Sequence, residues 1–208
     1  MKLIIFGASG TIGKQLVLQA LSLGHSVTAF GRDKTKLQEF THPHLHFFEG
    51  DVLNSADVER AISGQDAVFC ALGNGRKGIV RSQGTHNIIR AMEKKGIKRL
   101  ICQTTLGAGD SRSNLTFFWK HLMFGWLLKQ AYLDHELQEK YITRSSLDWT
   151  IVRPAAFTDG KATGHYRHGF SATDKTLQLK ISRADVALFM LTQLSTDEYL
   201  KKTSGLSY

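Results

Sequence analysis

The apolar run Leu3 to Phe6 passes directly into Gly7-Ala8-Ser9-Gly10-Thr11-Ile12-Gly13, and the next residues place Ile12, Leu16, Ala20 and Leu23 at helical spacing before Gly24. A strand, a glycine-rich turn and a helix in that order constrain the fold more than any other feature of the chain. Glycine is required where a side chain would block a tight turn, close approach of backbone to a pyrophosphate, or close packing of helix on strand, and the free N–H groups of a helix N-terminus attract an anion. The spacing is Gly-x-x-Gly-x-x-Gly, and its strand-to-helix setting points to a dinucleotide site.

The same alternation continues down the chain. Strands are expected at Lys2–Phe6, Ser26–Phe30, Leu45–Glu49, Ala67–Leu72, Arg99–Thr104 and Trp149–Val152. Helices are expected at Ile12–Leu23, Ser55–Ile62, Arg81–Lys95 and Tyr132–Arg144, with a short one at Lys34–Phe40. Strands alternating with helices predict an α/β fold, a doubly wound and mostly parallel sheet. The 208 residues suit a single domain, with a nucleotide-binding core over 1–153 and a C-terminal, substrate-side extension over 154–208. The extension is glycine-punctuated from Gly160 to Gly169, alternates polar and apolar residues over Leu177–Ile181, and ends in a helix expected at Arg183–Leu194.

Composition narrows the function classes. The two cysteines, Cys70 and Cys102, each lie in an apolar strand-like run, which suits reduced thiols in a cytoplasmic protein. No apolar run reaches spanning length, so no transmembrane segment is expected. The net charge of +9 is spread over many segments without a basic-aromatic module, which argues against nucleic acid and favours a solvated basic surface that helps attract an anionic ligand. His42, His44 and His46 lack a nearby thiolate or carboxylate set and read as an exposed strand edge, so no metal is expected.

Cofactor selectivity in such a fold is set at the end of the second strand. Here Phe30-Gly31-Arg32-Asp33-Lys34-Thr35-Lys36 puts glycine where an acid would hold the ribose of NAD, followed by Arg32 and, one turn on, Lys36. A guanidinium pairs bidentately with phosphate, so NADP (as NADPH) is expected over NAD, while Asp33, one residue along, leaves the ribose reading open. Asp51 and Val52, after the third strand, suit an adenine edge and face, with a turn or helix-capping role as the alternative for Asp51. Leu72-Gly73-Asn74-Gly75 follows the fourth strand, where the small Gly73 admits the cofactor. Thr104 and Thr105 end the fifth, where nicotinamide and acceptor should meet.

Taken together, Gly7 to Gly13, Gly31-Arg32-Asp33, Glu49-Gly50-Asp51-Val52, Gly64 to Val68, Leu147 to Pro154 and Ile181 to Ala187 resemble the atypical short-chain dehydrogenase/reductases, in particular the NmrA-like proteins and the biliverdin reductase B/flavin reductase group. The resemblance covers nearly the whole chain. It implies cofactor contacts from Gly7, Ser9, Gly10, Thr11, Ile12, Arg32, Thr35, Lys36, Asp51, Val52, Leu72, Gly73, Asn74, Thr104 and Pro154. It also implies an acceptor stacked beside Thr105, His135, Ala156 and Phe157. Two positions depart from the group: Thr105 and Ala156 stand where its biliverdin reductases resemble one another in carrying serine and histidine, which argues against biliverdin and leaves flavin less affected.

The Tyr-x-x-x-Lys pair of many short-chain dehydrogenases is missing, because Tyr132 is followed four residues on by Glu136 and Tyr141 by Ser145. No strong protein acid is then at hand for a ketone or alcohol. The reading is an NADPH-dependent reductase of a small planar acceptor, flavin or quinone, acting as a monomer or weak dimer. The alternative is a non-catalytic NADP(H)-binding redox sensor of the NmrA-like kind. The segment Phe117 to Trp126 is an aromatic cluster that fits core, a lid over the acceptor, a dimer face or an interfacial contact.

Overall fold

Successive residues of the first strand face opposite ways, and both faces are apolar, so the strand must be covered on both sides. In the computed structural model, which describes residues 1–38 and 40–208, β1 (Lys2–Phe6) does this. Leu3 and Ile5 join one core layer with α1 (Thr11–Ser22) and α5 (Arg183–Thr192), while Ile4 and Phe6 join another with α2 (Ser55–Ile62) and α3 (Val80–Lys95).

The remaining strands are β2 (Ser26–Gly31), β3 (Leu45–Glu49), β4 (Ala67–Cys70), β5 (Arg99–Gln103), β6 (Asp148–Pro154), β7 (Ala156–Thr158), β8 (Arg167–His168), β9 (Lys180–Ser182) and β10 (Lys202–Ser207), with α4 (Lys129–Thr143) before β6. The main sheet runs β3-β2-β1-β4-β5-β6-β10-β8. Every neighbouring pair is parallel except β10 with β8. The chain therefore builds a doubly wound α/β sheet of Rossmann type. Strand order reverses between β1 and β4, which opens a crevice at their C-terminal ends.

Several features depart from the expected elements, among them a short turn and the last strand. The short helix expected at Lys34–Phe40 is a 3-10 turn over Lys34–Leu37, and position 39 lies outside the described residues. β10 was not visible in the hydrophobic pattern because its buried positions include Ser204 and Ser207, and Gly205 packs against the Phe170 ring. Through β10 the segment after residue 154 donates a strand to the main sheet, pairing Lys202–Leu206 with Thr150–Pro154. A separate two-stranded sheet, β7 with β9, stands beside it. Cys70 and Cys102 are buried free thiols in register on β4 and β5. Among the described residues no helix is long and apolar enough to cross a membrane, and no group of three His, Cys, Asp or Glu side chains is placed to hold a metal ion.

Candidate functional site

A cavity of about 530 Å³ opens at the C-terminal ends of the parallel strands. At its β1–α1 end the three glycines have separable jobs. Gly7 sits at φ +84°, where a Cβ would collide with the Ala71 carbonyl, and a Cβ on Gly13 would collide with the carbonyl of Gly7, so these two fix the turn and seat the helix on it. Gly10 is different. It caps α1 with no side-chain hydrogen bond, and a Cβ there would meet only the Gly7 carbonyl oxygen, at 3.1 Å. That contact is tight but is the only one, and the first N–H groups of α1 keep no side-chain cap. This end fits a pyrophosphate. Gly7, Ser9, Gly10, Thr11 and Ile12 all line it.

At the end of β2, Gly31, Arg32 and Lys36 line the same cavity. Arg32 is exposed and has no hydrogen-bond or ion-pair partner among the described residues, while the Lys36 charge acts on Asp33. Asp33 is otherwise engaged. Its carboxylate accepts from the Thr35 N–H at 2.9 Å and from the Thr35 hydroxyl at 2.5 Å, which caps the 3-10 turn and lowers the Asp33 pKa. The turn thus takes one oxygen of the acid that competed for the ribose, and the guanidinium keeps no partner among the described residues. Thr35 itself is not on the cavity wall.

Asp51 and Val52 line the cavity beyond β3. Asp51 also accepts from the Leu53 N–H at 2.9 Å, so part of its capacity goes to the turn. Asn87 of α3 holds this loop by donating to the Val52 and Leu53 carbonyls at 3.0 and 3.1 Å. Leu72 and Gly73 follow β4 on the wall, and a Cβ on Gly73 would meet nothing within 4 Å. Asn74 lies off the wall.

The other end of the cavity gathers Thr104, Thr105, His135, Pro154, Ala156 and Phe157, the residues expected near the reacting rings. Beneath them lies an ionic frame in which Arg153 and Glu139 are buried and Asp110 is exposed. Glu139 accepts from Arg153 Nε at 3.0 Å and Nη2 at 2.7 Å, and from the Thr104 hydroxyl at 2.7 Å, while Arg153 Nη1 donates to Asp110 at 2.5 Å. Burial alone would lower the Arg153 pKa, but the two carboxylates outweigh it and the guanidinium is held above its ordinary value. The frame pins the strand ends of β5 and β6 to α4.

Several wall residues carried no sequence signal. Arg81, 7% exposed, is neutralised by Asp134 at 3.7 Å, and its guanidinium donates to the Lys77 and Gly75 carbonyls, both at 3.0 Å. Asp134 also accepts from the N–H groups of Arg81 and Ser82 at 3.0 Å, capping α3 where Ile79 sits at φ +80°. A β-branched residue with positive φ is strained, and this cap holds it in place. The aromatic segment forms a π-helix over Phe118–Leu127. Its inner side sends Trp119 and Phe124 to the cavity with Leu128 behind them, while Phe117, Phe118, Leu122 and Trp126 remain exposed. Hydrophobic content alone could not separate these two sides, because the repeat is that of a π-helix rather than an α-helix.

Comparison with known proteins agrees with this geometry. A family profile described as NAD(P)H-binding matches residues 7–197. The UPF0659 protein YMR090W of Saccharomyces cerevisiae is 28% identical, over 99% of this chain and 92% of its own. Among solved structures, ChuY, an anaerobilin reductase from Escherichia coli O157:H7, superposes with a TM-score of 0.83 at 26% identity, covering 99% of this chain and 96% of its own. A short-chain dehydrogenase/reductase from Veillonella parvula, in complex with NADP, gives a TM-score of 0.83 at 20% identity over 100% of this chain and 94% of its own, a likeness of fold. The chain belongs to the NAD(P)H-binding family of oxidoreductase folds, in agreement with the atypical short-chain dehydrogenase/reductase resemblance carried by its motifs.

Proposed function

We propose that the protein is an NADPH-dependent reductase of a small planar acceptor, with residues 1–208 acting as one domain. The observation that carries this reading is a single cavity with two chemically distinct ends: glycine turns with Arg32 and Lys36 at one, and Thr105, Phe157, Trp119 and Phe124 at the other. Gly7 to Ile12 would hold the pyrophosphate, Arg32 and Lys36 the 2′-phosphate, Asp51 and Val52 the adenine, and Thr104 and Pro154 would border the nicotinamide. When bound, the reduced nicotinamide supplies a hydride. The chain's own part is to orient the acceptor, exclude water with the Trp119 and Phe124 rings, and leave the accompanying proton to solvent.

No tyrosine is asked to act as an acid. Tyr132 lies off the cavity wall with its ring under the Arg112 guanidinium, 5.3 Å away, and burial raises its pKa. The similar ChuY structure is an anaerobilin reductase, which supports a reductase of a planar conjugated acceptor. The test is NADPH oxidation with lumiflavin, menadione and biliverdin, beside calorimetry of NADPH and NADH. Turnover with at least one acceptor and tighter binding of NADPH support the reading. Tight cofactor binding without turnover on any of them favours the redox-sensor alternative.

A further inference from the structure

The π-helix over Phe118–Leu127 has a second side that the cavity does not use. Trp119 and Phe124 turn inward, while Phe117, Phe118, Leu122 and Trp126 stand exposed, Phe117 at 78% and Trp126 at 75%. Ile79 adds to them from the loop before α3. It is 70% exposed, and its loop abuts the start of α4, since a Cβ on Gly78 would lie 3.3 Å from the Gln130 carbonyl oxygen. Ile79 also holds φ +80° beside the Asp134 cap, which combines backbone strain with a branched apolar side chain left in water. Neither the strain nor the exposed rings stabilise the isolated fold. A patch of this kind marks a surface that another body covers.

The charge around the patch narrows what that body is. From Ser111 to Leu133 the chain has no Asp or Glu, and it carries Arg112, Lys120 and Lys129. Arg76 and Lys77, both exposed, precede Ile79 in its loop, and Lys175 donates to the Ser113 carbonyl. The bordering acids are taken up internally: Asp110 accepts from Arg153, Asp134 pairs with Arg81, and Glu136 accepts from the Gly109 N–H at 2.6 Å. A second copy meeting this face about a two-fold axis would set these cations against their own counterparts. An anionic lipid surface satisfies both features. Aromatic and aliphatic side chains enter the boundary between headgroups and acyl chains, and the cations stay among the headgroups. A helix of 10 residues is too short to span a bilayer, so the contact is interfacial.

We propose that the π-helix and the Ile79 loop dock the protein on anionic bilayers. Docking sets the outer side of the helix in lipid while its inner side, through Trp119 and Phe124, walls the acceptor end of the cavity. One element then stands between the bilayer and the site. The lipid contact stands apart from the reductase reading, because it needs neither cofactor nor turnover.

The test is co-sedimentation of the full chain with vesicles of phosphatidylcholine, alone or mixed with phosphatidylglycerol. Binding to the mixed vesicles should be about tenfold tighter or more, and the excess should vanish at high salt, because the attraction of exposed cations is screened. Phe117→Ser combined with Trp126→Ser should weaken binding about tenfold or more, and Lys120→Glu combined with Lys129→Glu should remove the preference for anionic lipid. None of these four side chains lines the cavity, so melting temperature and NADPH affinity should hold in both double variants. Bromine-labelled lipid should quench the fluorescence of the unaltered protein more than that of Trp126→Phe. Equal binding to the two kinds of vesicle, or full binding by the aromatic double variant, would overturn the proposal. So would a dimer in sedimentation velocity that the aromatic double variant dissociates, which would give this face to a second copy of the chain.

Discussion

The two ends of the cavity are built by different means. At the nucleotide end, the wall is mostly backbone: turns at the ends of β1, β2, β3 and β4, opened by glycines and backed by a parallel sheet. At the acceptor end, the wall is mostly side chain, brought from β5, β6, the π-helix, α4 and the β7–β9 sheet across more than seventy residues of chain. Backbone geometry tolerates little substitution. Side-chain walls can change shape while the sheet stands, so the nucleotide end fixes the family and the acceptor end carries the individual chemistry.

The sharpest way to break this comparison is to separate the glycines. Gly7→Val puts a side chain at φ +84° against the Ala71 carbonyl and should cost the fold about 3 kcal/mol or more, read as a large loss of melting temperature. Gly10→Val should fold and lose NADPH binding, because its side chain would take pyrophosphate space rather than clash with strand backbone. If calorimetry finds full NADPH affinity in a folded Gly10→Val protein, the nucleotide end has been misplaced.

The next effect is smaller and concerns selectivity. Arg32→Ala should weaken NADPH about ten- to a hundredfold and leave NADH nearly unchanged, since one charge-assisted phosphate contact is lost. Equal weakening of both cofactors would shift the assignment away from the 2′-phosphate. At the opposite end, Thr105→Trp should fill the acceptor slot, lowering turnover severalfold or more while NADPH affinity persists. A fully active Thr105→Trp protein would show that the acceptor sits elsewhere.

The smallest effect is a pH dependence. His135 has a folded-state pKa of about 3, below the ordinary value near 6.5 in the unfolded chain, so between these values the unfolded state binds the extra proton. Stability is therefore full above about pH 6.5 and declines as pH falls toward the folded pKa. His25 shifts in the same direction from a more open position. His135→Phe should flatten the fall in melting temperature between about pH 6.5 and 5, above the range where carboxylates titrate. An unchanged slope would mean that His135 is not the group held neutral.

The sequence was most readable where chemistry depends on local backbone. The turn from Gly7 to Gly13 and the mostly parallel sheet follow from short-range spacing and strand-helix alternation, and β1 and β3 occupy the expected residues. Thr35 spends its hydroxyl on Asp33, and neither it nor Asn74 lines the cavity. Arg81 was hidden for another reason. It became a wall residue only because Asp134, 53 positions away, caps α3 and neutralises it. Likewise β10 hid behind buried serines, and the π-helix behind a repeat that resembles no amphipathic α-helix. Long-range pairing leaves no periodic trace in a chain.

Whether one cavity binds NADPH and passes its hydride to a planar acceptor is read out by a single-turnover experiment. Protein loaded with one equivalent of NADPH is mixed anaerobically, in parallel, with lumiflavin, biliverdin and menadione, and the absorption of dihydronicotinamide and acceptor is followed together. For at least one acceptor, both bands should fall one for one and NADP⁺ appear, with the reaction lost in Gly10→Val. Tightly bound NADPH that keeps its absorption beside every acceptor would contradict this transfer.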